Sequence, residues 1–194
     1  MNFPNKLTIA RLVMTVIFMV FLFGAGLVAK AGALLVFTMA SLTDMLDGYI
    51  ARKYHLVTDF GKLMDPIADK ALVLSAFIAF VQIGLVPAWM VVVIASREFV
   101  VTGLRLLALS KKEVLAAQEG GKHKTISQMV AIFLILIFLV FKEAKMRIPA
   151  FWTPTTEVYF RNAIFAIMLI TITLTIISGI SFLMRNKKLF VDHG

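Results

Sequence analysis

The sequence predicts an all-α integral membrane protein of six transmembrane helices behind a short N-terminal interfacial segment. Of its 194 residues, 60% are hydrophobic and 16% charged, whereas soluble domains are nearer half apolar and about one-quarter charged. Mean hydropathy is +0.92. Several apolar runs approach the ~20 residues a helix needs to cross a ~30 Å hydrocarbon core. The first run is too long and continuous for a cleaved signal peptide. The span 1–194 therefore reads as one membrane domain with little soluble mass. No cysteine is present, which excludes disulfides and thiolate metal sites.

The elements follow from punctuation in the sequence. The segment MNFPNK leads into a first helix expected over 7–28, and Gly24 and Gly26 mark its end. A second helix is expected over 32–53 and a third over 63–83, separated by the polar stretch 52–62. Gly84 and Pro87 precede a fourth over 87–109. Gly120 and Gly121 precede a fifth over 124–142, and Pro149 and Pro154 a sixth over 158–184. Gly and Pro are the strongest local breakers, so each gap has a physical cause.

Orientation follows from the cations. With a cytoplasmic N-terminus, fifteen of the twenty Lys and Arg fall on or near the inner side. Lys30, Lys142, Lys145, Arg147 and Arg161 fall outside. The excess of cations marks the cytoplasmic side, so both termini are expected inside a cell membrane. The net charge of +9 fits juxtamembrane cations facing anionic lipid. No basic domain stands clear of the apolar runs, which argues against nucleic acid as a partner.

Residues 44–69, DMLDGYIARKYHLVTDFGKLMDPIAD, hold five of the eleven acids of the chain, and four of them, Asp44, Asp47, Asp65 and Asp69, fall at helical spacing. Carboxylates near a bilayer are costly and need a compensating partner. Positions i, i+3, i+4 and i+7 share a helix face. Asp44, Asp47, Gly48 and Ala51 thus form one stripe on the second helix. Gly61, Asp65 and Asp69 form another on the third. The short connection predicts that these helices pack as antiparallel neighbours, with the stripes facing across one cytoplasmic cavity. Converging carboxylates repel and raise one another's pKa. Hard divalent cations remove the conflict, because Mg²⁺ takes oxygen ligands and shares its shell with substrate phosphates. A pair of ions can clamp both sides of a phosphoryl transfer. Small residues beside the acids leave room for a nucleotide.

Each residue has a plainer reading taken singly. Asp65 before Pro66 is an ordinary helix cap with proline in the first turn. Asp44 or Asp47 suits a salt bridge with Arg52 or Lys53, and Gly48 suits close helix packing. None of these accounts for four acids in one place.

The pattern Asp44-x2-Asp47-Gly48-x2-Ala51-Arg52-x8-Gly61-x3-Asp65-x3-Asp69 resembles the signature of the CDP-alcohol phosphotransferase family at every fixed position. The resemblance implies a six-helix intramembrane enzyme, commonly dimeric, that displaces CMP from a CDP-linked substrate with an alcohol. It implies two divalent cations, Mg²⁺ or Mn²⁺, on Asp44, Asp47, Asp65 and Asp69, with Asp69 also the general base. Gly48, Ala51, Arg52 and Gly61 would line the CDP pocket. The opening NFPNKLTIARL, SREFVVTGLR at 96–105 and GKHKTISQ at 121–128 are similar to the branch that forms phosphatidylglycerol phosphate. The substrates implied are CDP-diacylglycerol and sn-glycerol 3-phosphate. Asn5, Thr8 and Arg11 are placed to close over the nucleotide, although interfacial anchoring fits them equally well.

A phosphorylated acceptor needs cations near the metals. Arg97 and Arg105 lie eight residues apart on the fourth helix, roughly one face. Lys122 and Lys124 enter the fifth. Arginine suits bidentate phosphate contacts and lysine acts as a point charge. Lys111 and Lys112 read as interfacial anchors, and His123 as solvated. Arg97 lies deep in an apolar helix, where a cation needs a partner or a ligand; Glu98 beside it is one candidate partner. The same chemistry with inositol phosphate, serine or phosphatidylglycerol as acceptor is a second reading. A cation-binding membrane protein or transporter is a third, against which the absence of an internal repeat counts.

Overall fold

The computed structural model describes residues 3–54, 59–110, 119–145 and 152–186, with side chains described within 9–43, 70–108, 121–145 and 152–186. It contains six helices: α1 (Phe3–Phe23), α2 (Leu27–Tyr54), α3 (Asp59–Gln82), α4 (Ala88–Ser110), α5 (Glu119–Ala144) and α6 (Pro154–Arg185). The number and order of helices match the sequence expectation, and several boundaries move. The leading segment is not separate, because helix α1 begins at Phe3.

The first break is earlier than expected, and Gly26 explains it. Its φ of +87° is a left-handed conformation that glycine adopts without penalty. Lys30 then folds back, donating from Nζ to the carbonyls of Leu22 at 2.7 Å and Gly24 at 2.9 Å. A cation on the orphan carbonyls of a helix C-terminus is favourable. The turn between α3 and α4 uses Gly84 in the same way, with φ +78°. The Leu85 N–H donates back to the Phe80 carbonyl at 3.0 Å. Helix α6 starts four residues before the expected 158. Thr153 caps it by accepting from the Thr156 N–H at 3.1 Å, and Pro154 occupies the first turn, where its missing N–H costs nothing.

Successive helices pack as hairpins, α1 on α2, α3 on α4 and α5 on α6. The turns at 24–26 and 83–87, and the start of α6, therefore share one end of the bundle. The expected direct α2–α3 pairing is not among the principal contacts of the described residues; both helices pack instead on α1 and on α5. Phe18, Leu22, Phe37, Phe77, Phe80, Ile94, Ile132, Ile135 and Phe138 are completely buried in the resulting core. Phe37 is its hinge point, with ring centroids 5.5 Å from Phe18 and 5.4 Å from Phe133. It thus joins α1, α2 and α5.

Lipid is as apolar as leucine, so packing rather than escape from water holds such a core together. Phe37→Ala removes that packing and leaves a void. The expected loss is about 3 kcal/mol, the low end for Phe→Ala in buried sites because the transfer contribution is small here. Thermal unfolding in detergent checks it.

Around this core the surface is apolar. Val13, Val16, Val20, Val92, Phe99, Ile170 and Ile177 are exposed. Among the described residues, two helical stretches are long and apolar enough to cross a membrane by length and composition, Gly121–Ala144 and Pro154–Arg185. Shorter apolar stretches, Ile9–Phe23, Leu27–Thr43 and Lys70–Gln82, lie in α1, α2 and α3. Helix α4 carries Arg97 and Glu98 near its middle and Arg105 further on, and these charges lead into the site.

Candidate functional site

Two sets of residues have to be located: the acids of 44–69 and the cations of α4 and α5. The backbone puts Asp44 and Asp47 on the last turns of α2, with Gly48, Ala51 and Arg52 following them. Gly61, Asp65 and Asp69 lie on the first turns of α3. Each acidic pair is spaced by one helical turn. The side chains of these residues lie outside the described residues, as do those of Asn5 and Thr8, whose backbone belongs to α1. Only residues 55–58 separate the end of α2 from the start of α3, which tethers the two helix ends within about 20 Å at most; each acidic pair begins about two turns in from its end.

The cations are described in detail, and they do not act as one group of four. Arg97 and Lys124 come together around Glu98, which is buried among the apolar helices. Lys124 Nζ forms an ion pair with Glu98 Oε1. Arg97 Nη1 lies 3.7 Å from the same oxygen, and Gln128 Nε2 donates to it at 3.5 Å. The partner of Glu98 is thus chiefly Lys124, from α5, rather than the adjacent Arg97. Neighbours in a helix project about 100° apart, so adjacency in sequence does not make a pair.

Arg97 turns toward α6, where Nη2 donates to Ser178 Oγ at 2.8 Å. Its Nε is buried with no hydrogen-bond partner among the described residues. Arg105 also leans on α6, its guanidinium carbon 5.8 Å from the centre of the Phe182 ring. Lys122 does not join the cluster: it is exposed, while Lys124 is buried. Two residues along a helix is more than half a turn, which sends the two lysines to opposite sides. Lys111 and Lys112 lie outside the described residues, and His123 is exposed as expected.

Helix α6 accommodates Arg97 because its inner seam is small and polar. Ile164, Met168, Thr171, Thr175, Ser178, Gly179 and Phe182 are buried along one face, at the three- and four-residue spacing of a packed helix. Thr171 Oγ1 donates to its own helix at Ile167 O, 2.8 Å, and reaches Ser127 O of α5 at 3.3 Å. Ser178 and Gly179 were not singled out in the sequence. The signal available there was this run of small residues in an otherwise Ile- and Leu-rich helix.

A small cavity of about 40 Å³ links the cations to the acidic helix. It is lined by Lys70, Val73, Leu74, Glu98, Lys124, Thr125, Gln128 and Met129, with room for about one water molecule. Lys70 follows Asp69 directly, and Val73 is one turn beyond Asp69 on the same face of α3. The face of α3 that carries Asp69 therefore runs toward the Glu98–Lys124 pair.

The far end of the bundle explains three of the five cations that oppose the charge asymmetry. Lys30 caps α1, as described. Lys142 pairs with Glu157 at 3.1 Å, and Arg161 lies 3.9 Å from the same carboxylate. Lys145 is exposed, and Arg147 lies outside the described residues.

The sequence that builds this helical bundle has counterparts among known proteins. The family model for CDP-alcohol phosphatidyltransferase matches residues 1–177. The chain belongs to that family, whose members are membrane-bound and generally use divalent metals. Among curated proteins it is 48% identical over 148 residues to a CDP-diacylglycerol--glycerol-3-phosphate 3-phosphatidyltransferase of Bacillus subtilis, covering 70% of this chain and 77% of the relative. It is 40% identical to a protein of the same name from Rickettsia felis, over 97% of both chains. A probable phosphatidylglycerophosphate synthase of Mycobacterium tuberculosis is 37% identical, over 96% of this chain and 82% of the relative.

Proposed function

We propose that the chain transfers the phosphatidyl group of CDP-diacylglycerol to sn-glycerol 3-phosphate, giving phosphatidylglycerol phosphate and CMP. The observation that carries the choice of acceptor is the pair of cations, buried Lys124 and partly buried Arg97, gathered on the side of the bundle toward which the Asp69 face of α3 runs. Relatives bearing this activity in their names, alike over most of both chains, support the same reading.

The donor set suits divalent metal: four carboxylates, hard oxygen ligands throughout, in two one-turn pairs on helices joined by a short connection. Asp44, Asp47, Asp65 and Asp69 would hold two ions, Mg²⁺ or Mn²⁺. When bound, the ions neutralise the diphosphate and the charge developing on the departing CMP. The protein's own part is to orient and to move a proton. Arg97 and Lys124 hold the acceptor's phosphate, and Asp69 takes the proton from its free hydroxyl. The hydroxyl oxygen bonds to the phosphorus bearing diacylglycerol as the bond to CMP breaks. Gly48, Ala51, Arg52 and Gly61 line the CDP pocket, with Asn5 and Thr8 closing it.

In this reading all six helices span a cell membrane as one domain, with both termini and the site on the cytoplasmic side. The acyl chains stay in lipid. The exposed apolar faces of α1 and α6 suit lipid and the second subunit of a homodimer.

Purified protein given CDP-diacylglycerol and one acceptor at a time tests the assignment. CMP release is expected with sn-glycerol 3-phosphate and not with serine, inositol phosphate or phosphatidylglycerol. Release with serine or inositol phosphate alone would overturn the choice of acceptor and leave the chemistry standing.

A further inference from the structure

One carboxylate oxygen serves three side chains. Glu98 Oε1 takes Lys124 in its ion pair, lies 3.7 Å from Arg97 Nη1 and accepts from Gln128. Glu98 and Arg97 belong to α4, whereas Lys124 and Gln128 belong to α5. On the opposite side, α6 presents Ser178 Oγ to Arg97 Nη2 at 2.8 Å. Beside it Gly179 offers no side chain at all: a Cβ there would lie 3.1 Å from Arg97 Cγ. The stem of Arg97 runs against this bare patch of helix.

We infer that Glu98 is a positioning residue for the acceptor's phosphate, holding Arg97 and Lys124 at one fixed separation while Ser178 and Gly179 of α6 fix Arg97 from the other side. The inference rests on the reading in which Arg97 and Lys124 bind that phosphate.

The physical reason is charge balance in a buried place. Arg97 and Lys124 are 14% and 5% exposed in their side chains. Two cations at such burial repel each other, and each is costly alone. A carboxylate between them lets both keep their charge. The three groups sum formally to +1, so the cluster retains attraction for an anion. A guanidinium reads a phosphate through a planar fork, and an ammonium as a point charge. Their joint usefulness depends on relative placement, which neither long side chain sets for itself. An acceptor that is a free alcohol gains nothing from this arrangement. Glu98 thereby contributes to selecting a phosphorylated acceptor without touching it.

The test uses full-length protein in phospholipid vesicles. The Michaelis constants for sn-glycerol 3-phosphate and for CDP-diacylglycerol are measured separately, together with kcat. Glu98→Gln keeps the size of the side chain and removes its charge. It is expected to raise KM for sn-glycerol 3-phosphate by about tenfold or more, with kcat and KM for CDP-diacylglycerol within about threefold of the parent. Ser178→Ala is expected to move the same constant in the same direction by about two- to fivefold, the usual reach of one hydrogen bond. It removes only a hydroxyl, so it decides the matter if Glu98→Gln fails to fold. Lys124→Met tests the underlying reading and should also raise KM for the phosphorylated acceptor.

If Lys124→Met raises that constant while Glu98→Gln and Ser178→Ala leave it unchanged, Glu98 is no positioning residue and the reading of the site survives. If Lys124→Met leaves it unchanged, the phosphate lies elsewhere and the inference falls with the reading. An equal rise in both Michaelis constants, or a fall in kcat alone, would assign Glu98 to the architecture of the bundle and overturn the inference.

Discussion

Asp69→Asn is expected to lower CMP release by about 10²- to 10⁴-fold, the range removed with a general base. Asparagine keeps the shape of the side chain and an oxygen, but it cannot take the acceptor's proton. The position is also proposed to share in holding a metal, so the variant has to be read at saturating Mg²⁺ or Mn²⁺. The loss should then persist in kcat, with little change in KM for either substrate. Asp65→Asn, at the other end of the same turn, has no proton to move in this scheme, and added metal should recover more of its activity. Near-normal turnover by Asp69→Asn with metal bound would remove Asp69 from the role of base.

Chelation of divalent cations is expected to reduce CMP release by at least about 10³-fold, since a metal clamp contributes several kcal/mol to such a transition state. Mg²⁺ or Mn²⁺ should restore it. A second readout does not depend on turnover. Four carboxylates gathered at one helix junction repel one another without a counter-charge. A cation that binds only the folded protein stabilises it by about 2.7 kcal/mol at a concentration a hundred times its Kd. Metal should therefore raise the unfolding temperature of the parent, and Asp44→Asn with Asp47→Asn should shrink that rise. A parent protein equally active and equally stable in chelator would exclude the metal reading of all four acids.

The helices were legible in the sequence because membrane helices obey coarse rules. Length, apolarity and Gly or Pro at the breaks were enough to count them. Their ends were less legible. Helix α5 begins at Glu119, running through Gly120 and Gly121, which read as a break because glycine is a poor helix former. Helix α6 begins at the Thr153–Pro154 cap, hidden in a polar stretch that carries little periodicity. The acidic motif was legible because its meaning lies in short spacing on two adjacent helices. The cation cluster was legible only in part. Arg97 and Lys124 were picked out as buried or motif-borne cations, and Glu98 as a candidate partner of Arg97, but not as the partner of Lys124. Glu98 and Lys124 lie 26 residues apart, and no local rule pairs them. Ser178 lies 81 residues from Arg97, on a helix that in sequence looked like plain membrane filler.

That helix has a consequence for how the chain can be altered or recombined. The family match ends at residue 177, and the next two residues are the ones that seat Arg97. A final span chosen only for its oiliness would anchor the protein equally well and leave Arg97 without its seat. Hybrids made from two relatives should therefore exchange α4, α5 and α6 as a single block. A crossover between α5 and α6 would part Arg97 from the Ser178 and Gly179 it packs against.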